Sequence, residues 1–409
     1  MTDSIKTTLN LTKIAALVRM DIDANVSTTT NPWGEVKERY TKPSHQKSAL
    51  SGTTTKWIVR CAEDPLHPEL GLVPTHIDAE VHVPNSTVGH NLEHGTSVWA
   101  AGNAALEQQR IWMARSGLPQ VALDLLTPED VSLRGVTITY IIRCASREEA
   151  ERVVEAINVT RKVLSAKGKA EDSVNLSVTL PFGTFSILAY IKTLLKHCKF
   201  PEGAPVADLV AETSCLVRIE VKLGLPFLKK RGLVALESWR NAYANGVYES
   251  IFNETVRKKL RLGKDLLRHK APRDEVYKKL TPTEGMLLLC YLEHRDPRDF
   301  CRVNSVSPTK RFSELRLGIF RATKIDIDIP WKEHVKLRCF ELDPLLKYPG
   351  DYHPSTAHTP WCFCKANWRK LKAAFRTRYE AELAAAIKRQ ELRYPNRSDD
   401  AGDEAGVAA

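Results

Sequence analysis

Three short segments place ionisable side chains two residues apart, the spacing that puts neighbours on one face of a β-strand. Glu80 and His82 stand this way in Glu80-Val81-His82-Val83-Pro84, and Tyr190 and Lys192 in Ala189-Tyr190-Ile191-Lys192. Arg218, Glu220 and Lys222 alternate through Leu216 to Leu223. A carboxylate beside an imidazole is a donor pair for a hard divalent cation. A phenol is mostly protonated at neutral pH, its reference pKa being about 10; an ammonium on the same face favours its ionised, nucleophilic form. Plainer roles compete with these. Glu80 and His82 also suit the solvent face of an edge strand, and Glu220 also suits an ion pair with Arg218 or Lys222. His90, in Gly89-His90-Asn91, either joins a ligand set or caps the loop entering the next helix.

These roles depend on the elements that carry the residues. Strands are expected at Lys56 to Cys61 and at Ile77 to Val83, the latter stopped by Pro84-Asn85, with a helix from about Thr96 to Ser116. The β-branched run Val136 to Ile142 predicts another strand. Ser146-Arg147-Glu148-Glu149 is a capping box for a helix whose apolar face is Ala150, Val153, Val154 and Ile157. Asn175 to Leu180 and Phe185 to Lys192, joined by Pro181-Phe182-Gly183, predict a β-hairpin, followed by a strand at Leu216 to Leu223. In that strand setting Lys192 shares a face with Tyr190; in a helix it would point away. The layout is α+β: a mostly antiparallel sheet with helices on one face, followed by a mainly helical C-terminal region. Residues 1–54 read as an irregular N-terminal lead-in, 55–240 as a catalytic domain, 241–395 as a mainly helical basic region and 396–409 as a disordered acidic tail. Thr281-Pro282-Thr283-Glu284 and Ser307-Pro308 each open a helix in the third part. Its basic second helix reads as a solvated face ahead of a helix-turn-helix reader.

The 409 residues carry 60 Lys and Arg against 49 Asp and Glu, a net charge of +11 that favours a polyanionic partner. The densest basic run holds Arg257, Lys258, Lys259 and Arg261 and continues to Arg273, and a second spans Lys365 to Arg378. The nine cysteines are scattered without a C-x-x-C pair, which argues against a disulfide framework or a zinc ribbon. No phosphate-binding glycine loop, dinucleotide fingerprint or H-E-x-x-H is present. No apolar stretch is long enough for a membrane span, and the N-terminus lacks a secretory pattern, so the cytoplasm is the expected location.

Several ordered pieces together resemble the replication initiators of filamentous phages, the gene II/X family, and related plasmid initiators. They are Glu80-Val81-His82-Val83-Pro84 with Gly89-His90-Asn91, the strand Val136 to Tyr140, Ala189-Tyr190-Ile191-Lys192, Leu216-Val217-Arg218-Ile219-Glu220, and Phe227-Leu228-Lys229-Lys230-Arg231-Gly232-Leu233. The resemblance covers residues 70 to 240. It implies a nicking-endonuclease-like palm and a rolling-circle initiator that cuts one origin strand through a 5′-phosphotyrosine and later rejoins the displaced strand. Tyr190 would be the nucleophile and Lys192 its companion. Mg²⁺ or Mn²⁺ would polarise the phosphate, with Glu80, His82 and Glu220 as candidate ligands and His90 as a looser fourth. Arg218, Lys229, Lys230, Arg231 and the run Arg257 to Arg261 would contact DNA. The implied partners are double-stranded origin DNA, displaced single-stranded DNA, and a host helicase and polymerase. The chain departs from the phage pattern at Thr137, where those members tend to carry aspartate. That departure supports a second expectation, a non-catalytic origin-binding or copy-control protein of the same fold.

Overall fold

The computed structural model describes residues 2–17, 26–30, 36–41, 44–47, 54–63, 72–92, 94–115, 118, 120–164, 177–192, 200, 202–260, 272–303, 306–331 and 347–393. Alternating and β-branched segments supply the strands of one ten-stranded antiparallel sheet. They are β1 Thr2–Asn10, β2 Val26–Thr30, β3 Val36–Thr41, β4 Ser44–Lys47, β5 Thr54–Glu63 and β6 Leu72–His82, then β8 Val131–Arg143, β9 Ser177–Pro181, β10 Phe185–Ile191 and β11 Leu216–Gly224. The order is β2-β3-β5-β6-β1-β8-β11-β10-β9, with β4 also paired to β5. β9 and β10 form the expected hairpin, its turn at Gly183 with φ of 74°, a conformation glycine adopts without a Cβ clash.

The two faces of this sheet differ. On one, Ile5, Leu9, Ile77, Val81, Val136, Ile138, Ile187, Ala189, Val217, Ile219 and Val221 are buried. The helices Val98–Arg115 and Arg147–Leu164 pack on this face, and Ala150, Val153, Val154 and Ile157 of the second join the core as the sequence periodicity requires. Ser146 Oγ accepts from the Glu149 amide, which caps that second helix. The other face carries Lys6, Asp78, Glu80, His82, Thr137, Thr139, Tyr190, Arg218, Glu220 and Lys222, by strand register.

Two expectations are corrected. Residues 1–54 are not an irregular lead-in: β1 is a central strand, hydrogen-bonded to β6 and β8 on its two sides. Its sequence hides this, because only Ile5 and Leu9 are strongly apolar and the opposite face is polar. Nor does the sheet domain end at 240. Tyr248, Ile251, Phe252 and Val256 belong to its core, and β12 Phe363–Cys364 pairs in parallel with β7 His94–Gly95. The helix Trp368–Arg393 lies against Val98–Arg115. Between these returns, the helices Pro282–Leu292, Pro297–Val303 and Pro308–Thr323 gather around a separate core. No helix among the described residues is long and apolar enough to cross a membrane. Arg261, most of the following basic run and the acidic tail 396–409 lie outside the described residues.

Candidate active site

Near the far end of the hairpin from its turn, β10 and β11 place Tyr190 directly across from Arg218. The Tyr190 hydroxyl donates to Glu220 Oε1 at 2.5 Å, reaching diagonally along the next strand. Lys192 is buried beside them, its Nζ 6.0 Å from the centre of the Tyr190 ring. The strand reading of Phe185 to Lys192 therefore brings phenol, ammonium, guanidinium and carboxylate to one face. Such sharing follows from the two-residue period of the strand.

A loop covers this end of the sheet. It begins at the short helix Val83–Val88, turns at Gly89 with φ of 89°, and runs through Asn91 to β7. Asn91 Nδ2 donates to Asp3 Oδ1 at 2.8 Å, and Arg218 donates to the Leu92 carbonyl. Asp3 arrives at the start of β1, next to Ser4, whose hydroxyl donates to Thr137 Oγ1 at 2.9 Å. A carboxylate thus stands one residue along the neighbouring strand from Ser4, the partner of Thr137. Neither Asp3 nor His94 stands out in the sequence. Asp3 lies outside any clear strand signal, and His94, four residues beyond His90, sits in a short polar stretch without periodicity.

The electrostatics of the cluster are interdependent. Burial pushes the Tyr190 hydroxyl well above its ordinary pKa; Arg218 pulls it down, and Glu220 and Asp3 add to the rise. Burial, then the charge of Asp3, push the Glu220 carboxyl up, against the Tyr190 hydrogen bond and Arg218. Burial works to raise Asp3 as well, but His94, the Asn91 hydrogen bond, Arg218 and His82 together hold it below the usual carboxylate range. His94 is lowered to about 3 by burial and then by Arg218, so it is neutral at pH 7. The resting phenol keeps its proton and presents it to a carboxylate of raised basicity, the arrangement required for general base catalysis.

Several buried polar atoms here have no hydrogen-bond partner among the described residues: Nε and Nη1 of Arg218, both ring nitrogens of His94, Asn91 Oδ1 and Thr139 Oγ1. Arg218 is 0% exposed. Buried polar groups in folded proteins are almost always satisfied, and a buried guanidinium prefers a bidentate oxyanion. Arg218 Nε and Nη1 are donors that an oxyanion can satisfy.

The other sequence candidates distribute differently. Glu80 sits on the same face but pairs with Lys6 at 3.1 Å, farther along the sheet. His90 is fully buried and structural: Nε2 is 2.9 Å from the Trp361 carbonyl, Nδ1 accepts from the Leu92 amide, and the ring stacks on Phe200 at 4.8 Å. With both nitrogens engaged, it offers no lone pair to a metal. Among the described residues, no three His, Cys, Asp or Glu side chains converge as a metal-ligand group. Glu80, His82, His90 and Glu220 therefore do not form the ligand set expected for Mg²⁺ or Mn²⁺, and Glu220 is engaged by Tyr190 instead. The exposed Lys229, Lys230 and Arg231 end the helix Leu225–Lys230. Arg231 reaches Glu254 at 2.8 Å, and Lys259 lies 5.7 Å from the Phe182 ring, so Arg257, Lys258 and Lys259 neighbour them at the hairpin-turn end. Five residues separate Phe185 from Tyr190, roughly 17 Å of strand.

Compared with family models, curated proteins and solved structures, the chain matches none of them.

Proposed function

We propose that the protein is a DNA-nicking and joining enzyme with a nicking-endonuclease-like palm, initiating rolling-circle replication through a 5′-phosphotyrosine at Tyr190. The observation that carries this reading is the Tyr190–Glu220 hydrogen bond of 2.5 Å beside the buried Arg218 and Lys192. In the forward step, Tyr190 Oη attacks the scissile phosphorus as its proton passes to Glu220. The P–O3′ bond breaks, and the 3′ oxygen leaves with a proton from water. Arg218 and Lys192 offset the charge that builds on the non-bridging oxygens, an effect strengthened by burial. Because the phosphotyrosine ester retains the bond energy, attack by a later 3′ hydroxyl reverses the step and closes the displaced strand.

Asp3 acts by position: its charge holds Arg218 and raises the basicity of Glu220. The cations at the hairpin-turn end suit the phosphates of the strand leading away from the site, origin duplex before the cut and displaced single strand after it. A host helicase and polymerase would extend the freed 3′ end, in the bacterial cytoplasm. A purely origin-binding role leaves the buried phenol–carboxylate pair without a task.

The test is incubation of the protein with a supercoiled plasmid carrying the replicon that encodes it, with Mg²⁺ or Mn²⁺. The expected products are relaxed circles and a covalent protein–DNA adduct. Binding without any nick, under either ion, would overturn the enzymatic reading.

A further inference from the structure

Residues 282–329 hold a second surface suited to nucleic acid, built independently of the tyrosine site. Thr281 caps the helix Pro282–Leu292 through a reciprocal box with Glu284. The seven-residue helix Pro297–Val303 follows, and after four residues the helix Pro308–Thr323. Leu287, Leu288, Tyr291, Cys301, Phe312, Leu315, Ile319, Ile325 and Ile327 form their common core. Gly318 permits the close packing, since a Cβ there would strike Glu284 Oε1. Two successive helices, four residues apart in sequence and packed with a preceding helix on one core, follow the element order of a helix-turn-helix unit.

The charges on that last helix divide between an inward Arg316 and an outward set of Lys310, Glu314 and Arg321. Arg316 points inward, held by Asp326 at 2.6 and 2.7 Å and by Asp328 at 2.9 Å, so it is spent on structure. At 100° per residue, Lys310, Leu317 and Arg321 lie opposite the buried Phe312, Leu315 and Ile319. Lys310 and Arg321 are exposed, and neither has an ionic partner among the described residues. Arg311 is exposed about 100° around the helix from Lys310, loosely paired with Glu314 at 3.8 Å. Eleven residues separate Lys310 from Arg321, about 16 Å along the axis. The major groove of B-DNA is about 12 Å wide, so two long cationic side chains at that spacing reach phosphates on both walls while Ser313 and Leu317 face the base edges.

We infer that this unit binds duplex DNA, with the helix Pro308–Thr323 in the major groove and Lys310 and Arg321 on the flanking phosphates. The inference goes beyond the nicking reaction and does not depend on it. The test is equilibrium anisotropy of the full chain with a labelled 30-base-pair duplex and the corresponding single strand, from 50 to 200 mM salt. For Lys310→Gln/Arg321→Gln, duplex affinity is expected to fall at least tenfold and the slope of log K against log salt to shrink by about 1.8, two phosphate contacts at about 0.9 each. Single-strand affinity stays within twofold. The charge reversals Lys310→Glu and Arg321→Glu, made singly, should each lower duplex affinity further than the matching glutamine. An unchanged duplex slope, or equal losses on duplex and single strand, would overturn the assignment. The first of these results would leave exposed Val303 and Val306 as a surface for a protein partner instead. Because binding is read without cleavage, a failure here is separate from a failure of Tyr190 to react.

Discussion

Replacing Glu220 by glutamine removes the proton acceptor while leaving an oxygen able to take the Tyr190 hydrogen bond. At pH 7 a phenol of pKa about 10 is ionised to roughly one part in a thousand, and burial at Tyr190 lowers that fraction further. With Glu220 the proton leaves during attack; without it, the reaction waits for this rare phenolate. The rate of adduct formation on a cleavable single strand should therefore drop about a thousandfold, within the range of 100- to 10,000-fold usual for a general base. It should also recover close to tenfold for each unit of pH, up to the limit of protein stability. The fold itself should not suffer. A carboxyl whose pKa is raised by folding contributes stability below its unfolded pKa, and that contribution is lost as pH rises through the folded value. Burying the Glu220 charge thus opposes folding, and Glu220→Gln should melt no lower than the wild type at pH 7. Single-turnover rates from pH 6 to 9, with thermal melts alongside, measure both. A variant that reacts within tenfold of wild type, or whose pH profile is unchanged, would refute Glu220 as the base.

Other consequences concern the fold that holds the site. Asp3→Ala removes a carboxylate whose charge acts on buried Arg218, leaving that guanidinium less compensated; a loss of about 3 kcal/mol is expected in urea unfolding, and Asp3→Asn, equally neutral, should recover only the part that comes from the Asn91 hydrogen bond and leave nicking slow. Ile5→Ala, at a fully buried position of the central strand, should cost about 2–5 kcal/mol, and deleting residues 1–10 should abolish the cooperative unfolding transition. His90 is lowered by burial from the usual 6.5 to about 4. Its neutral form stabilises the fold above pH 6.5, and that stability, about 3 kcal/mol, is lost as pH falls from 6.5 to about 4. His90→Gln should flatten unfolding free energies measured across that interval.

The strands that carry the site were legible because their pattern is strong. Phe185 to Lys192 alternates cleanly and the turn at Gly183 is marked, so the shared face of Tyr190 and Lys192 followed from spacing alone. What escaped the sequence was contributed by distant or weakly patterned segments. β1 is half threonine, serine and lysine because one of its faces is the polar face of the sheet, and a strand of that kind resembles a loop. β12 pairs with β7 across more than 260 residues, and the same covering segment fixes His90 through the Trp361 carbonyl. Local periodicity carries no information about such pairings. Glu220 was read as a metal ligand because a carboxylate in a nuclease-like pattern suits that role; its hydrogen bond to Tyr190 depends on strand register, which the turn and strand lengths only partly determine.

The central claim is tested most directly by mapping the covalent adduct. After reaction with a single-stranded substrate cut from the protein's own replicon, nuclease digestion and proteolysis, mass spectrometry should find the residual nucleotide on Tyr190, in the peptide that ends at Lys192. A nucleotide on another residue, or an adduct that persists in Tyr190→Phe, would contradict the account.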